Sequence, residues 1–259
     1  MSDQEILPDN YRLVDCPSLE DSSFAAINQV LMGLTHAMSN ILMPLREYPR
    51  LILGRLPEDS SAVGLLSNME IAADRLVEVN NNLIQLCHGN EGTPTRVNLV
   101  ALSQLVLAEV YEQYPTEKPI TVDLKTSSSP CVIEGPEDAL YFAIRNLCVN
   151  AYEAMKQTGG TLVTLVEPCK VDKDDAFARM GLIPGDYLRL EVRDTGPGVD
   201  EHVRENLFEP FVTTVRGEGR GLGLSQTYRT IRHLGGRIFY QPDTGPGAAF
   251  MFMLPLVVG

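Results

Sequence analysis

Four short stretches of this chain carry side chains able to do chemistry. His36, in Gly33-Leu34-Thr35-His36-Ala37-Met38-Ser39-Asn40, is one imidazole in the middle of an apolar helical pattern. A neutral imidazole is both a nucleophile and a proton carrier near neutral pH. Asn146 and Asn150, in Asn146-Leu147-Cys148-Val149-Asn150, lie four apart, so their amides share one helix face. Amide oxygens suit a hard cation such as Mg2+ that keeps water and phosphate oxygens in its shell, although paired amides in an apolar helix are often satisfied structurally. Asp194-Thr195-Gly196-Pro197-Gly198 puts a carboxylate at the end of a predicted strand, before a turn whose glycines admit a ligand close to the backbone. Alone, that motif reads equally as a tight turn with the aspartate folded onto its own backbone. Gly217-Glu218-Gly219-Arg220-Gly221-Leu222-Gly223-Leu224 enters a predicted helix, whose free N–H groups and dipole favour a phosphate. No Gly-Lys-Ser/Thr follows, and no strand of a βαβ unit precedes, which excludes a P-loop and disfavours a dinucleotide fold.

Two kinds of element must hold these groups. Phe24, Ile27, Leu31, Leu34, Met38, Ile41 and Leu45 repeat at 3-4-3-4 spacing, as do Leu65, Met69, Ala72, Leu76, Val79, Leu83 and Leu86, with Gly54-Arg55-Leu56-Pro57-Glu58-Asp59 as the break between them. The pattern predicts a helical hairpin over 21–90, after an N-terminal tail at 1–20. Two helices bury too little apolar surface alone, so two hairpins are expected to pair as a four-helix bundle in a homodimer. With Phe24 at heptad position a, His36 falls at f, away from the seam. Pro44 is expected to bend this helix.

After Gly89-Asn90-Glu91-Gly92-Thr93-Pro94-Thr95 the pattern turns to mixed helix and strand, which places a second domain at 91–259. Helices are expected at Asn98 to Gln113, Glu137 to Gln157 and Arg220 to His233. Strands are expected at Ile120 to Leu124, Cys131 to Ile133, Thr161 to Val166, Tyr187 to Arg193, Arg237 to Tyr240 and Ala248 to Leu254. Without strict βαβ alternation, this is an α+β sandwich with helices on one sheet face.

Composition narrows the function. A net charge of -13, from 21 Lys+Arg against 34 Asp+Glu, argues against a nucleic-acid or membrane surface held by bulk electrostatics. No apolar run reaches a membrane span and the polar N-terminus lacks the features of a signal peptide, which points to the cytoplasm. Five cysteines without a CxxC pair suggest neither a zinc site nor a disulfide framework. His88, His202 and His233 read as ordinary helix-end or surface residues.

Taken together, the order and spacing of these motifs resemble the ATP-binding domain of the histidine kinases, in the superfamily that also includes DNA gyrase, Hsp90 and MutL. The resemblance covers roughly Asn98 to Leu256, and the hairpin resembles the same family's dimerisation and histidine phosphotransfer domain. It implies an α/β-sandwich ATP-binding fold and ATP with Mg2+ as cofactors. Asn150 would coordinate the Mg2+ and Asn146 would support the phosphate-metal cluster. Asp194 would accept a hydrogen bond from the adenine amino group, with Gly196 and Gly198 allowing close packing. Phe208 and Phe211 of Phe208-Glu209-Pro210-Phe211 resemble the motif that begins the mobile lid. Gly219, Gly221 and Gly223, with Leu222 and Leu224 between and after them, would form the second glycine motif. Gly181 to Leu190 and the acidic segment before it look like an insertion found in hybrid sensor kinases; a receiver domain is expected on a separate protein.

By the same resemblance His36 is the phospho-acceptor, passing its phosphoryl group to the aspartate of a response-regulator receiver. Asn40, four residues on, stands where related kinases position water to dephosphorylate that partner. Two departures matter. The family usually carries Asp or Glu directly after the histidine, where this chain has Ala37; losing such a group typically removes about 10²–10⁴-fold in rate. Where a lysine often follows Thr213-Thr214 this chain has Val215, leaving Arg216 or Arg220 to supply phosphate charge. The alternative is therefore a degenerate kinase acting as a relay, a phosphatase or a docking module. An ATP hydrolase of the gyrase type is disfavoured, because its catalytic glutamate would stand where Asn146 is, and an amide takes no proton.

Overall fold

The computed structural model describes residues 11–14, 22–57, 60–88, 93–114, 116, 118–210, 212, 221–241 and 246–256, with the side chains of 22–32, 36, 78–79, 81–88 and 205 left aside. The chain divides into two compact units, Glu20–Gly89 and Met1–Leu19 with Asn90–Gly259.

The first unit is a hairpin of α1 (Ser22–Leu53) and α2 (Ala62–His88). Gly54 turns the chain out of α1. Arg46 pairs with Asp74 at 2.8 Å, Arg50 pairs with Glu70, and Asn80 Nδ2 donates to Ser39 Oγ at 2.7 Å, so each step up α1 is a step down α2. The ion pairs are half in water and serve register more than stability. Thr35, Leu42 and Pro49 on α1 and Ala73 and Asn80 on α2 are buried between the helices. Leu34, Ile41, Leu45, Leu65, Met69 and Leu76, the expected seam, are exposed in this single hairpin.

The second unit is built on a six-stranded sheet in the order β1-β7-β8-β6-β5-β3. Its strands are β1 (Arg12–Leu13), β3 (Ile120–Thr126), β5 (Gly160–Val171), β6 (Gly185–Arg193), β7 (Arg237–Gln241) and β8 (Ala249–Pro255). Only β3 and β5 run parallel. A two-stranded ribbon pairs β2 (Thr95–Asn98) with β4 (Val132–Gly135). Helix α3 (Leu99–Gln113) starts where Asn98 accepts from the N–H groups of Val100 and Ala101 at 3.0 and 3.3 Å. Helix α4 (Glu137–Met155) packs on β5 and β6 and beside α6 (Gly223–His233), which packs on β7 and β8. Alternation turns Leu188, Leu190 and Val192 of β6 toward these helices. Gly159, left-handed at φ 67°, takes the Met155 carbonyl and ends α4 two residues before the expected Gln157. Helix α6 begins at Gly223 rather than Arg220, since Gly221 sits at φ 63° outside helical geometry.

The opposite sheet face is covered as well, which the strand pattern did not signal. Tyr11, Val171, Leu182, Tyr187, Phe239, Met251 and Met253 form a second apolar cluster there, with Leu13, Phe177 and Met180 against it. Part of the expected tail is thus a strand, β1, because Tyr11 and Leu13 alternate onto this face. The acidic segment Asp172-Lys173-Asp174-Asp175 leads into a short helix, α5 (Ala176–Arg179), capped by Asp175. Beneath Tyr11, Glu191 accepts from the Tyr11 hydroxyl at 2.8 Å, from Arg193 Nη2 at 2.8 Å and from Arg189. Burial works to raise the Glu191 pKa, but the charge and hydrogen bonds of Arg189, then the Tyr11 and Arg193 bonds, bring it below the usual glutamate value.

A lowered carboxylate pKa stabilises the fold above the unfolded value of about 4.3, and that contribution is lost as pH falls through the folded value. Acid denaturation followed by circular dichroism is expected to show a steeper loss between these points in the unaltered chain than in Glu191→Gln. At neutral pH the variant should lose about 3 kcal/mol or more, because two guanidinium groups lose their buried partner.

Candidate functional site

Directly after β6 comes Asp194, a carboxylate only 5% exposed. The polypeptide folds tightly around it. The Asp194 N–H donates to the Ala248 carbonyl at 3.0 Å, continuing the β6–β8 ladder by one step, and Asp194 Oδ1 accepts from the N–H groups of Gly196 at 2.8 Å and Ala248 at 3.3 Å. Both bonds fall on one oxygen, which leaves Oδ2 to accept from a ligand. Burial raises the Asp194 pKa above the usual aspartate value, and the Gly196 and Ala248 N–H groups oppose that rise. Such a group selects a hydrogen-bond donor by position rather than by bulk charge.

The glycines are required by contact. A Cβ on Gly196 would lie 3.0 Å from Asp194 Oδ1 and 3.2 Å from Ala154 Cβ, so the turn packs on the last part of α4. Gly198 is left-handed at φ 79°, and a Cβ there would meet the Gly247 carbonyl at 2.9 Å. Thr195 Oγ1 accepts from the Thr161 N–H at 2.9 Å and anchors the turn to β5. Two participants escaped the sequence reading. Gly247, at φ 122°, lies so close that a Cβ would stand 1.9 Å from the Asp194 carbonyl oxygen, and Ala248 supplies an N–H to its carboxylate. The signal was Gly245-Pro246-Gly247 before the last strand, a turn sequence with no ligand-type residue in it.

Helix α4 joins this turn to the second glycine motif. Asn146 Nδ2 donates to the Gly223 carbonyl at 3.1 Å and to Gln226 Oε1 at 3.3 Å, and a Cβ on Gly223 would meet Asn146 Cγ at 3.2 Å. Asn146, Asn150 and Ala154 therefore form one stripe, about 12 Å long by helical rise, with the first turn of α6 at one end and Gly196 at the other. Asn150 is exposed on that stripe. The amide nitrogen of Asn146 is committed to α6, so its oxygen is the atom left for a cation, and the donor set fits a hard metal that retains water. Leu222 caps α6 from a buried position, its carbonyl accepting from Ser225 Oγ at 2.8 Å, and Leu224 is half-buried in the first turn. Phe208 is core, packed on Phe250 and Tyr228 with centroids 6.1 and 6.4 Å away. It anchors the start of the following segment rather than facing a ligand. Phe211, Arg216, Gly219 and Arg220 lie outside the described residues, as does the His36 side chain; the His36 and Asn40 backbones belong to α1, and Asn40 is exposed. No group of His, Cys, Asp and Glu suited to a metal occurs among the described residues.

Residues 135–258 match the family described as the histidine kinase-, DNA gyrase B-, and HSP90-like ATPase. The chain is 26% identical over 243 residues to the sensor kinase CckA of Brucella abortus, covering 92% of this chain and 25% of that protein. It is 26% identical over 235 residues to the sensor histidine kinase ZraS of Escherichia coli K12, covering 89% and 46% respectively. Among solved structures, full-length ShkA in complex with AMPPNP superposes with a TM-score of 0.71 at 24% identity, over 89% of this chain and 46% of that one. The chain thus spans a quarter to about half the length of these relatives. No helix among the described residues is long and apolar enough to cross a membrane.

Gly247→Ala is expected to cost about 3 kcal/mol or more, since its Cβ has nowhere to go and its backbone angle is unfavourable. Gly64→Ala, on α2 with nothing within 4 Å, should instead stabilise by up to about 1 kcal/mol. Thermal melts of the two variants check both signs.

Proposed function

We propose that the chain carries the catalytic core of a sensor histidine kinase, an ATPase-family domain preceded by a helical hairpin, and that it phosphorylates His36 from Mg-ATP and passes the phosphoryl group to the aspartate of a response-regulator receiver. The observation that carries this reading is Asp194, buried, with Oδ1 held by two backbone N–H groups and Oδ2 left to accept from the adenine amino group. Gly196 and Gly198 let the base approach the backbone. The α4 stripe then leads from the base toward the first turn of α6, where the α6 N-terminus and Asn146 receive the phosphates.

Chemically, a lone-pair nitrogen of the neutral His36 imidazole attacks the γ-phosphorus. A phosphorus–nitrogen bond forms, the bond to the β,γ-bridging oxygen breaks, and ADP leaves with that electron pair. An aspartate carboxylate of the receiver then takes the phosphoryl group and frees the imidazole. Mg2+, held by Asn150 with Asn146 beside it, would neutralise charge on the phosphate oxygens. Arg216 or Arg220 would supply positive charge to the phosphates in place of the lysine that Val215 replaces. Residue 37 contributes nothing to proton transfer, because Ala37 has no acceptor. That favours a second reading in which His36 chiefly relays phosphate between receivers.

The hairpin supports a homodimer. Leu34 is 52% exposed, Ile41 63% and Leu65 70%, all at seam positions left open in one hairpin. A second hairpin laid on this stripe removes it from water and completes a four-helix bundle.

Incubation with γ-labelled ATP and Mg2+ is expected to give acid-labile label that is lost in His36→Gln and in Asp194→Asn. No label in a protein that binds ATP calorimetrically would overturn the autokinase reading in favour of the relay, which a phosphorylated receiver domain as donor would then reveal. ATP affinity should fall on acidification through a point above the ordinary aspartate value of about 3.9, because a proton on Oδ2 takes away the oxygen left to accept from the adenine amino group. Ala37→Glu should raise the rate of labelling by about tenfold or more, by restoring a proton acceptor beside the imidazole.

A further inference from the structure

Three polar side chains in a row, Ser225, Gln226 and Thr227, use their bonds differently at the start of α6. Ser225 Oγ donates to the Leu222 carbonyl at 2.8 Å and Thr227 Oγ1 to the Gly223 carbonyl at 2.9 Å, so both hydroxyls turn back onto their own helix. Gln226, only 7% exposed, reaches across to α4 instead, where its Oε1 accepts from Asn146 Nδ2 at 3.3 Å. Burying a carboxamide there costs free energy that a methionine of similar length would not.

What Gln226 does follows from the hydrogen-bond inventory of an amide, which has a donor end with two N–H bonds and an acceptor end. The Gly223 carbonyl can only accept, and Asn146 Nδ2 donates to it at 3.1 Å, so the nitrogen of Asn146 must face α6. Gln226 in turn must present its oxygen. Together the two acceptors use both N–H bonds of Asn146. The Gly223 carbonyl alone would hold the amide less firmly, since it is shared with Thr227 Oγ1. Contact adds to the constraint: a Cβ on Gly223 would lie 3.2 Å from Asn146 Cγ and 3.3 Å from its Oδ1, so glycine lets the helix turn close on the amide.

An amide fixed in this way offers only its oxygen to whatever binds beside it. That oxygen repels the oxygens of a bare phosphate and attracts a cation that carries one. Without Gln226, one N–H of Asn146 is freed to donate to a phosphate oxygen, and Oδ1 loses its fixed direction.

We propose that Gln226 is a positioning residue that makes the phosphate end of this site depend on a divalent cation: by taking the second N–H of Asn146, it leaves Oδ1 as the one polar atom that Asn146 presents. The cation dependence rests on the reading of the α4 stripe as the metal and phosphate end of an ATP site; the hold of Gln226 on Asn146 does not.

The test compares the full unaltered chain with Gln226→Met, which keeps length and loses the acceptor, and Gln226→Glu, which keeps an acceptor oxygen. Thr227→Val alters the same turn without removing a partner of Asn146. Calorimetric titration with the ATP analogue AMPPNP, with and without Mg2+, reads the cation dependence. Nitrogen-15 spectra without nucleotide read the exchange of the Asn146 side-chain N–H groups. In Gln226→Met the gain in affinity that Mg2+ brings is expected to shrink about tenfold or more, while the metal-free affinity holds or rises. The Asn146 side-chain groups should exchange about fivefold faster in that variant. Gln226→Glu should keep the slow exchange, and Thr227→Val should keep the Mg2+ gain. The proposal is overturned if Gln226→Met keeps the full Mg2+ gain, if Thr227→Val loses it equally, or if the Asn146 groups exchange at one rate in all forms. Absence of AMPPNP binding in the unaltered chain would sink the ATP-site reading, and slow exchange abolished by Gln226→Met would still establish the hold on Asn146.

Discussion

The close approach of two backbone segments, Asp194 at the end of β6 and Gly247-Ala248 at the start of β8, is the contact on which the rest of the nucleotide-type site depends. One donor from the β8 side reaches the carboxylate, one carbonyl reaches the Asp194 N–H, and Gly247 leaves no room for any side chain between them. The arrangement keeps a carboxylate buried yet directed, which an aspartate on a free loop would not be: burial alone would push it toward neutrality, and two N–H groups on one oxygen hold back that drift. The antiparallel pairing of β6 with β8 sets the register of this contact. A slip of one residue would turn Leu188, Leu190 and Val192 away from the helices and break the carboxylate's cradle at once.

From that register the two faces of the sheet acquire different work. The helix-facing side carries Leu162, Val166, Leu188 and Leu190 against α4 and presents the Asn146, Asn150 and Ala154 stripe. The other side carries Glu191 between Arg189 and Arg193, a cluster whose charges need cover from water and a full set of partners. Tyr11, Phe177, Met180 and Leu182 supply that cover. A segment from before the hairpin thus helps complete a sheet built from residues after it.

Much of this was legible in the sequence. Every strand of the sheet except β1 has its centre where alternation and turn residues put it, and the glycine-containing turn after β6 lies at Asp194, where residue type and spacing put it. The misses have physical causes. Tyr11-Arg12-Leu13 is too short to show a period, and its fate depends on a cleft made by residues more than 150 positions away. Gly247 and Ala248 act through backbone atoms, which residue type does not advertise. The continuous burial of β8 hid the second covered face, because a strand buried on both sides shows no alternation. Phe208 was read as part of a ligand-side motif, whereas an aromatic beside Phe250 and Tyr228 belongs to the core.

Helix α1 poses the complementary problem, since its weakest turns lie just after His36. Pro44 has no N–H for the Asn40 carbonyl and Pro49 none for that of Leu45, so two helical bonds are missing within the stretch that follows the imidazole. Ser39 adds to the strain by donating its hydroxyl back to the Thr35 carbonyl at 3.0 Å, a bond that competes with helix geometry. What holds this region is the neighbouring helix: Asn80 reaches across at 2.7 Å to the same hydroxyl, from a position 2% exposed. Thr35, Ser39 and Asn80 thus form a polar tie between α1 and α2 beside His36 in sequence, where an all-apolar seam would leave the helices free to slide by a residue. Prolines thus loosen α1, while the Asn80 amide and the Arg46 and Arg50 ion pairs hold its register against α2.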